Sequence, residues 1–384
     1  MPTPSRLHIA LILTIIASTP AQAQQLSAEA LTVEERDAVI LTMRLSGDEV
    51  DTLDEFAALA TLERQEIIDT QRERIASIWR AQAEAAQRGE TPDMEAAMGS
   101  IWETWSQLDA TQERMLQDLA VTLGDDRTEQ VERCVLRLYR MRMLASIGVG
   151  LSTLSADPLA VSHDAGVPAL LDDEHAERFH AAMLAYDRAI AKLLREHDRF
   201  QRDAAATFSR DGFDDQSPEV TTYFEDMIAL YAEIKETHRE RCDAIVATLP
   251  LGTRSEWNNA WLRRAYPEVY ERHYIETATE ILLADGSKLH AEEREAIEAY
   301  AVSAQAHLGR AREKLRRAID DAEDRITVVQ MRDGTDEETE DLADARERLR
   351  RLASEGHARF LAIIAPERHR WIPPLAQQEP EASQ

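Results

Sequence analysis

Glycine, aromatic residues and cysteine are all scarce in this chain. Only 13 of its 384 residues are glycine and 5% are aromatic, which excludes a turn-rich β-sandwich or barrel and suits long helices. Two cysteines, Cys134 and Cys242, cannot supply the disulfide framework that holds small secreted folds together. Whether they pair depends on whether their segments touch. No apolar run reaches the ~20 residues of a membrane-spanning helix. Positive charge is the scarcer sign: 44 Lys and Arg stand against 72 Asp and Glu, a net charge of −28. That balance repels phosphate backbones and anionic lipid, which excludes nucleic acid and stable membrane association as principal partners. Catalytic words are missing too: no nucleophile elbow, phosphate-cradling glycine loop, Cys-x-x-Cys or His-Glu-x-x-His occurs.

What is present begins with an export signal. Arg6 supplies a positive start, Leu7 to Ala17 is a short apolar run, and Ala21-Gln22-Ala23 is a small-x-small cleavage word. Residues 1–23 are expected to be a signal peptide and the remainder a soluble periplasmic or extracellular protein. Removal of Arg6 takes the net charge from −28 to −29.

The rest of the chain reads as one pattern met three times. Each copy has a long charged helix, a short turn, a second long helix and an Arg-bearing turn. The turns within the hairpins are Arg88-Gly89-Glu90-Thr91, Arg210-Asp211-Gly212-Phe213 and Arg332-Asp333-Gly334-Thr335. The second helices end at Leu123, Leu249 and Ile364, followed by Arg127, Arg254 and Arg368. Apolar residues at steps of three and four line each second helix, as in Val220, Phe224, Met227, Tyr231 and Ile234. Such a stripe must bury itself against the preceding antiparallel helix. The expected fold is all-α: three related helical hairpins of about 120 residues, with coiled-coil-like packing and a truncated third copy. Thr32 with Glu35 is a capping box opening a short first helix. The expected organisation is repeat 1 over 24–147, a linker over 148–169, repeat 2 over 170–285, repeat 3 over 286–371 and a disordered tail over 372–384. The linker reading rests on a run with glycines, prolines and almost no charge between two hairpins.

Four constellations carry potential chemistry. Asp320, Asp321 and Asp324 form an Asp-Asp-x-x-Asp word on a helix, the type that holds magnesium and a diphosphate in isoprenoid synthases. In so acidic a chain a solvated helix face is the plainer account of it. His175 and His180 sit near Asp172, Asp173 and Glu174, but five residues apart they do not share a helix face. His238 and Cys242 have the better i, i+4 spacing for a soft metal. Yet the repeat register places them opposite Gln112 and Leu116 of the first copy, on a buried seam. Trp257 and Trp261 could line an aromatic pocket or simply pack in the core. None of these is assigned as a catalytic, cofactor or metal site, and no cofactor is expected.

Two words carry a family resemblance: Leu31-Thr32-Val33-Glu34-Glu35 and Ile364-Ala365-Pro366-Glu367-Arg368. They are similar to the Leu-Thr-x-x-Gln word of the Spy and CpxP group of periplasmic chaperones, with Glu35 and Arg368 in place of the glutamine. The chain also resembles exported bacterial helical-repeat proteins of unknown function. The resemblance implies an ATP-independent holdase with no catalytic residues. The favoured expectation is therefore a non-catalytic exported scaffold or chaperone-like protein that binds a protein partner. A homo-oligomer is one arrangement its surfaces permit. The alternatives are a metal-dependent enzyme built around Asp320, Asp321 and Asp324, or an acidic cation-binding surface protein.

Overall fold

The computed structural model describes residues 28–88, 94–124, 127–146, 154, 156–211, 217–284, 289–328, 330 and 339–375. The expected signal peptide, most of the expected hairpin turns and the residues beyond 375 lie outside them. The described residues form an all-α protein, without a strand among them. No described helix is long and apolar enough to cross a membrane.

The first hairpin is α2 (Gly47–Gln87) and α3 (Met94–Thr122), preceded by the short α1 (Val33–Met43) and followed by α4 (Thr128–Ser146). A second short helix, α5 (Pro158–Asp164), leads into the second hairpin, α6 (Asp173–Asp211) and α7 (Pro218–Thr248). Then follow α8 (Leu251–Ala265), α9 (Pro267–Tyr270), α10 (Tyr274–Leu283), and the third hairpin, α11 (Ala291–Asp324) and α12 (Glu340–Ile363). A 3-10 turn over Pro366–Trp371 follows α12.

Within each hairpin the long helices pack along one another. The seam read from the sequence is the buried one. On α7 every member from Val220 to Ile245 at that spacing is buried, and on α12 Ala345, Gly356 and Phe360 are. The expected capping box is formed. Thr32 Oγ1 accepts from the Glu35 amide at 3.2 Å, and Glu35 Oε2 accepts from the Thr32 amide at 2.9 Å.

The Arg-bearing turns brace the hairpins. Glu49 accepts from the Ser46 amide at 2.7 Å and from Arg127 Nη2 at 2.7 Å. At the same place in the third copy, Glu293 accepts from the His290 amide at 2.8 Å, Arg368 Nη2 at 2.9 Å and the Ala365 amide at 2.9 Å. One carboxylate thus caps the first long helix and ties the end of the second to it. These bonds hold the Glu293 carboxyl down at about 2 against the pull of burial. The second copy departs from the scheme. His175 stands at the carboxylate position, bonded to Asp172, and Arg254 donates instead to the carbonyls of Leu249 and Ala247. Arg254 also lies inside α8, so the turn expected there is already helix.

The chain divides into two compact units, Met1–Trp257 and Asn258–Gln384, with the boundary inside α8. The contacts therefore group the elements differently from three equal segments. In unit 1, α4 packs on α1 and α3 on one side and on α6 on the other, joining the first two hairpins. Residues of α1, α2, α3 and α4 share one core, with Val39, Met43, Leu53, Leu116, Leu119, Cys134 and Leu138 at its centre. The segment expected to be a linker carries α5, whose Val161 and Ser162 are buried, together with Ala156. The Trp257 indole donates to Ser162 Oγ at 2.9 Å, tying that segment to α8.

In unit 2, α10 packs on both α11 and α12. Its Ile275, Ala278 and Leu282 join Ile297, Ala304, Phe360, Ile364 and Ile372 in one core. Residues 274–283, read from the sequence as the end of repeat 2, are thus the covering helix of the third hairpin. A Cβ at Gly356 would lie 2.5 Å from Ile275 Cγ1, so α10 sits where only glycine leaves room. Gly356→Ala is expected to destabilise unit 2 by about 1–2 kcal/mol, as overpacking outweighs the roughly 1 kcal/mol gained in helix propensity. Urea unfolding followed by helix content checks this; a stabilised variant would mean Ile275 repacks freely.

Candidate functional site

The densest chemistry lies in unit 1, where α4, α5, α6 and α7 meet. Arg133, Arg137 and Arg140 occur at steps of four and three on α4, so they share a face, and that face meets α6. Arg137 and Arg140 are 2% and 1% exposed, and Asp187 of α6 is 0% exposed. Arg137 Nη2 donates to Asp187 Oδ2 at 3.3 Å, and its Nη1 reaches the Thr42 hydroxyl of α1. Arg140 Nε lies 3.5 Å from Asp187 Oδ1, while its Nη2 donates to Asp157. Asp157 is also the cap of α5, accepting from the amides of Leu159 and Ala160 at 2.8 and 3.1 Å.

The polar chain continues into the second hairpin. The Arg140 guanidinium lies 5.0 Å from the centroid of the Tyr186 ring. The Tyr186 hydroxyl is 3.0 Å from His238 Nδ1, and His238 Nε2 is 3.6 Å from Cys242 Sγ. The cluster is charge-paired throughout. Burial works against ionised Asp157, but Arg140 and Arg137 outweigh it and hold the carboxyl well below the usual carboxylate range. Burial raises the Asp187 carboxyl despite both arginines. It pushes the Cys134 thiol up to about 12 and the Tyr186 hydroxyl well above its ordinary value.

Cys242, His238 and Tyr186 have the order of a nucleophile, a base and an orienting group. They lack access: Cys242 is 4% exposed, and His238 and Tyr186 are 0% exposed. A buried thiol beside a buried imidazole, both on the hairpin seam, makes a packed polar contact. Cys134 and Cys242 are both buried thiols and do not form a disulfide.

The other sequence-derived candidates are dispersed. His175 bonds its own cap, Asp172, at 2.7 Å. His180 takes a hydrogen bond from Arg44. Burial, followed by the charges of Arg44 and Arg133, lowers His180 to about 4. In unit 2, Asp320 accepts from the Tyr266 hydroxyl and from Arg316 Nη1 at 2.8 Å. Asp321 and Asp324 are exposed, with Asp321 lying 3.9 Å from Arg325. The three aspartates do not converge, and no metal-holding group of three or more His, Cys, Asp or Glu occurs among the described residues. Trp257 is buried with its indole on Ser162, and Trp261 packs edge-on against Tyr266 at 6.0 Å.

The residues that sequence reasoning missed are Arg137, Arg140, Asp157 and Asp187. The available signal was α4 itself, whose arginines fall on a face that also has to pack. A cleft of about 230 Å³ opens in unit 2 between α10 and α11, lined by Ile275, Thr279, Ala301 and Leu308 with Arg272 and Glu280 at its edge. No family model, curated protein or solved structure matches the chain.

Proposed function

We propose that this is an exported, non-catalytic helical scaffold that holds protein partners through the outer faces of its long helices, in the manner of a holdase. The observation that carries the reading is apolar exposure at neighbouring levels of two long helices. Leu59 and Leu62 on α2 are 64% and 69% exposed, and Val302 on α11 is 73% exposed. Aligned on the bracing carboxylates Glu49 and Glu293, Val302 falls beside Leu59. Large apolar side chains left in water next to the hairpin core offer contact area to a partner without disturbing the fold. The cleft between α10 and α11 adds a second apolar surface. The chemistry-bearing groups support the same reading, because they are spent on one another in the interior of unit 1. The metal-dependent alternative gains nothing from Asp320, whose carboxylate is already engaged by Tyr266 and Arg316.

The test is suppression of aggregation of a chemically unfolded client, followed by light scattering with the chain lacking residues 1–23. Suppression is expected at a stoichiometric ratio. Leu59→Lys with Leu62→Lys is expected to weaken it severalfold at unchanged helix content. Absence of suppression by the unsubstituted chain overturns the reading.

A further inference from the structure

The second hairpin differs from the other two in what its seam is made of. Two aromatic–imidazole pairs cross it in opposite senses. Tyr186 of α6 meets His238 of α7, and His197 of α6 meets Tyr231 of α7. The first pair is edge-on at 5.6 Å between ring centroids, the second stacked at 5.6 Å. Aligned on the long-helix caps, the place of His197 is taken by Gln71 in the first hairpin and Leu315 in the third.

His197 is 1% exposed. Its Nε2 is 3.3 Å from the Tyr231 hydroxyl and 3.3 Å from Gln201 Nε2. An amide nitrogen can only donate, so Nε2 is the accepting nitrogen and Nδ1 carries the proton. Nδ1 is buried without a hydrogen-bond partner. A second proton would turn Nε2 into a donor facing the donating amide of Gln201. It would also place a cation in the seam. Glu196 and Asp198 flank it in sequence, Glu233 and Lys235 lie on α7, and Tyr139 and Asp109 lie on the helices packed on α6; burial is what lowers the ring. Asp198 is committed to Arg202 at 2.6 Å. A charged imidazole there would be buried with Nδ1 unpaired, which is costly.

We propose that the second hairpin is an acid-released element, in which proton uptake by His197 parts α6 from α7 while the third hairpin stays closed. Burial alone lowers the His197 ring from 6.5 to about 4. A depressed imidazole contributes stability that is complete above about 6.5 and is lost as pH falls from there towards 4, because the open state binds the proton first. The opening constant of α6 and α7 rises by about tenfold per pH unit across that window. Opening would expose the seam from Phe224 to Ile245, an apolar surface that is covered at neutral pH.

The experiment is hydrogen exchange resolved to individual helices of the full mature chain, between pH 7 and 4, corrected for intrinsic exchange. Amides of α6 and α7 are expected to lose protection while those of α11 and α12 keep it. His197→Phe, which retains a ring against Tyr231, is expected to reduce the pH slope of α6 and α7 opening by about one proton. An unchanged slope in that variant overturns the proposal, as does loss of protection in all three hairpins together. Should the variant fail to fold, the imidazole signals of the unsubstituted protein decide. A His197 ring that titrates near 6.5 while the chain remains folded overturns it, and a ring that stays neutral until opening supports it.

Discussion

Arg140→Ala is expected to destabilise unit 1 by about 3–5 kcal/mol, the cost of breaking a buried ion cluster from one side. Arg140 meets two carboxylates, Asp157 and Asp187, and is 1% exposed. Its removal leaves Asp187 with Arg137 alone, at 3.3 Å, and takes from Asp157 the cation that keeps it ionised. Asp157 caps α5, so the penalty extends to the helix that carries Ser162 and its bond to Trp257. The cavity left by the side chain adds to the cost, since Arg140 is among the largest fully buried side chains of the described residues. Arg140→Lys should recover only part of the loss, because a single ammonium cannot serve two carboxylates in different directions as a guanidinium does. The measurement is urea unfolding at neutral pH, with hydrogen exchange at α4, α5 and α6 to locate the change. A loss below about 1 kcal/mol would mean water reaches Asp187 and the cluster is not dry.

The pH dependence of that variant follows from the signs. Asp157 is depressed in the native protein, so its pairing contributes stability present above its unfolded value near 3.8 and lost as pH falls below that value. Asp187 is raised, so it favours the folded state more as pH falls through its titration range. Without Arg140 both carboxyls are buried with less positive charge beside them, and protonation relieves each. The gap between variant and parent therefore narrows on acidification.

Much of the helical plan was legible before any coordinates. The seam of α7 could be read residue by residue, since steps of three and four leave one face and one packing solution. The Thr32 and Glu35 box was legible because a cap is local chemistry. The two words behind the chaperone resemblance have local roles as well. Glu35 closes that cap and also accepts from Arg142 at 2.6 Å, while Arg368 braces Glu293.

What could not be read was which covering helix belongs to which hairpin. Residues 158–164 read as part of a linker and 274–283 as the end of repeat 2, yet each is fixed by contacts with residues distant along the chain. Trp257 with Ser162 is 95 positions apart, and Tyr274 with His357 is 83. The buried cluster was hidden for the same reason. Arginines on α4 resemble a solvated face until α6 is laid against them, and in so acidic a chain Asp187 has no distinguishing neighbour in sequence.

Phe360→Ala is the second large effect, expected to cost unit 2 about 3–5 kcal/mol. Phe360 is 0% exposed and lies four residues before Ile364, as Leu119 and Ile245 lie before Leu123 and Leu249 in the other hairpins. Its ring meets Tyr300 edge-on at 5.4 Å and Tyr274 at 6.4 Å, and shares its core with Ile275, Ile297 and Ile364. The void cannot be filled from within α12, because the residue one turn back is Gly356, which has no side chain to move. Nor can α10 slide in, since Ile275 is already seated against that glycine. Tyr274 is held in place by its hydroxyl, bonded to His357 Nδ1 at 2.6 Å and the Pro373 carbonyl at 3.0 Å. The neighbours that might collapse are thus pinned, which places the loss at the upper end for a large-to-small change. Phe360→Met, whose flexible thioether can follow the cavity, should lose less than half as much. Urea unfolding with hydrogen exchange at α10, α11 and α12 checks both variants. Equal losses for Ala and Met would show that the edge-on aromatic contacts, and not the filled volume, hold the third hairpin beneath α10.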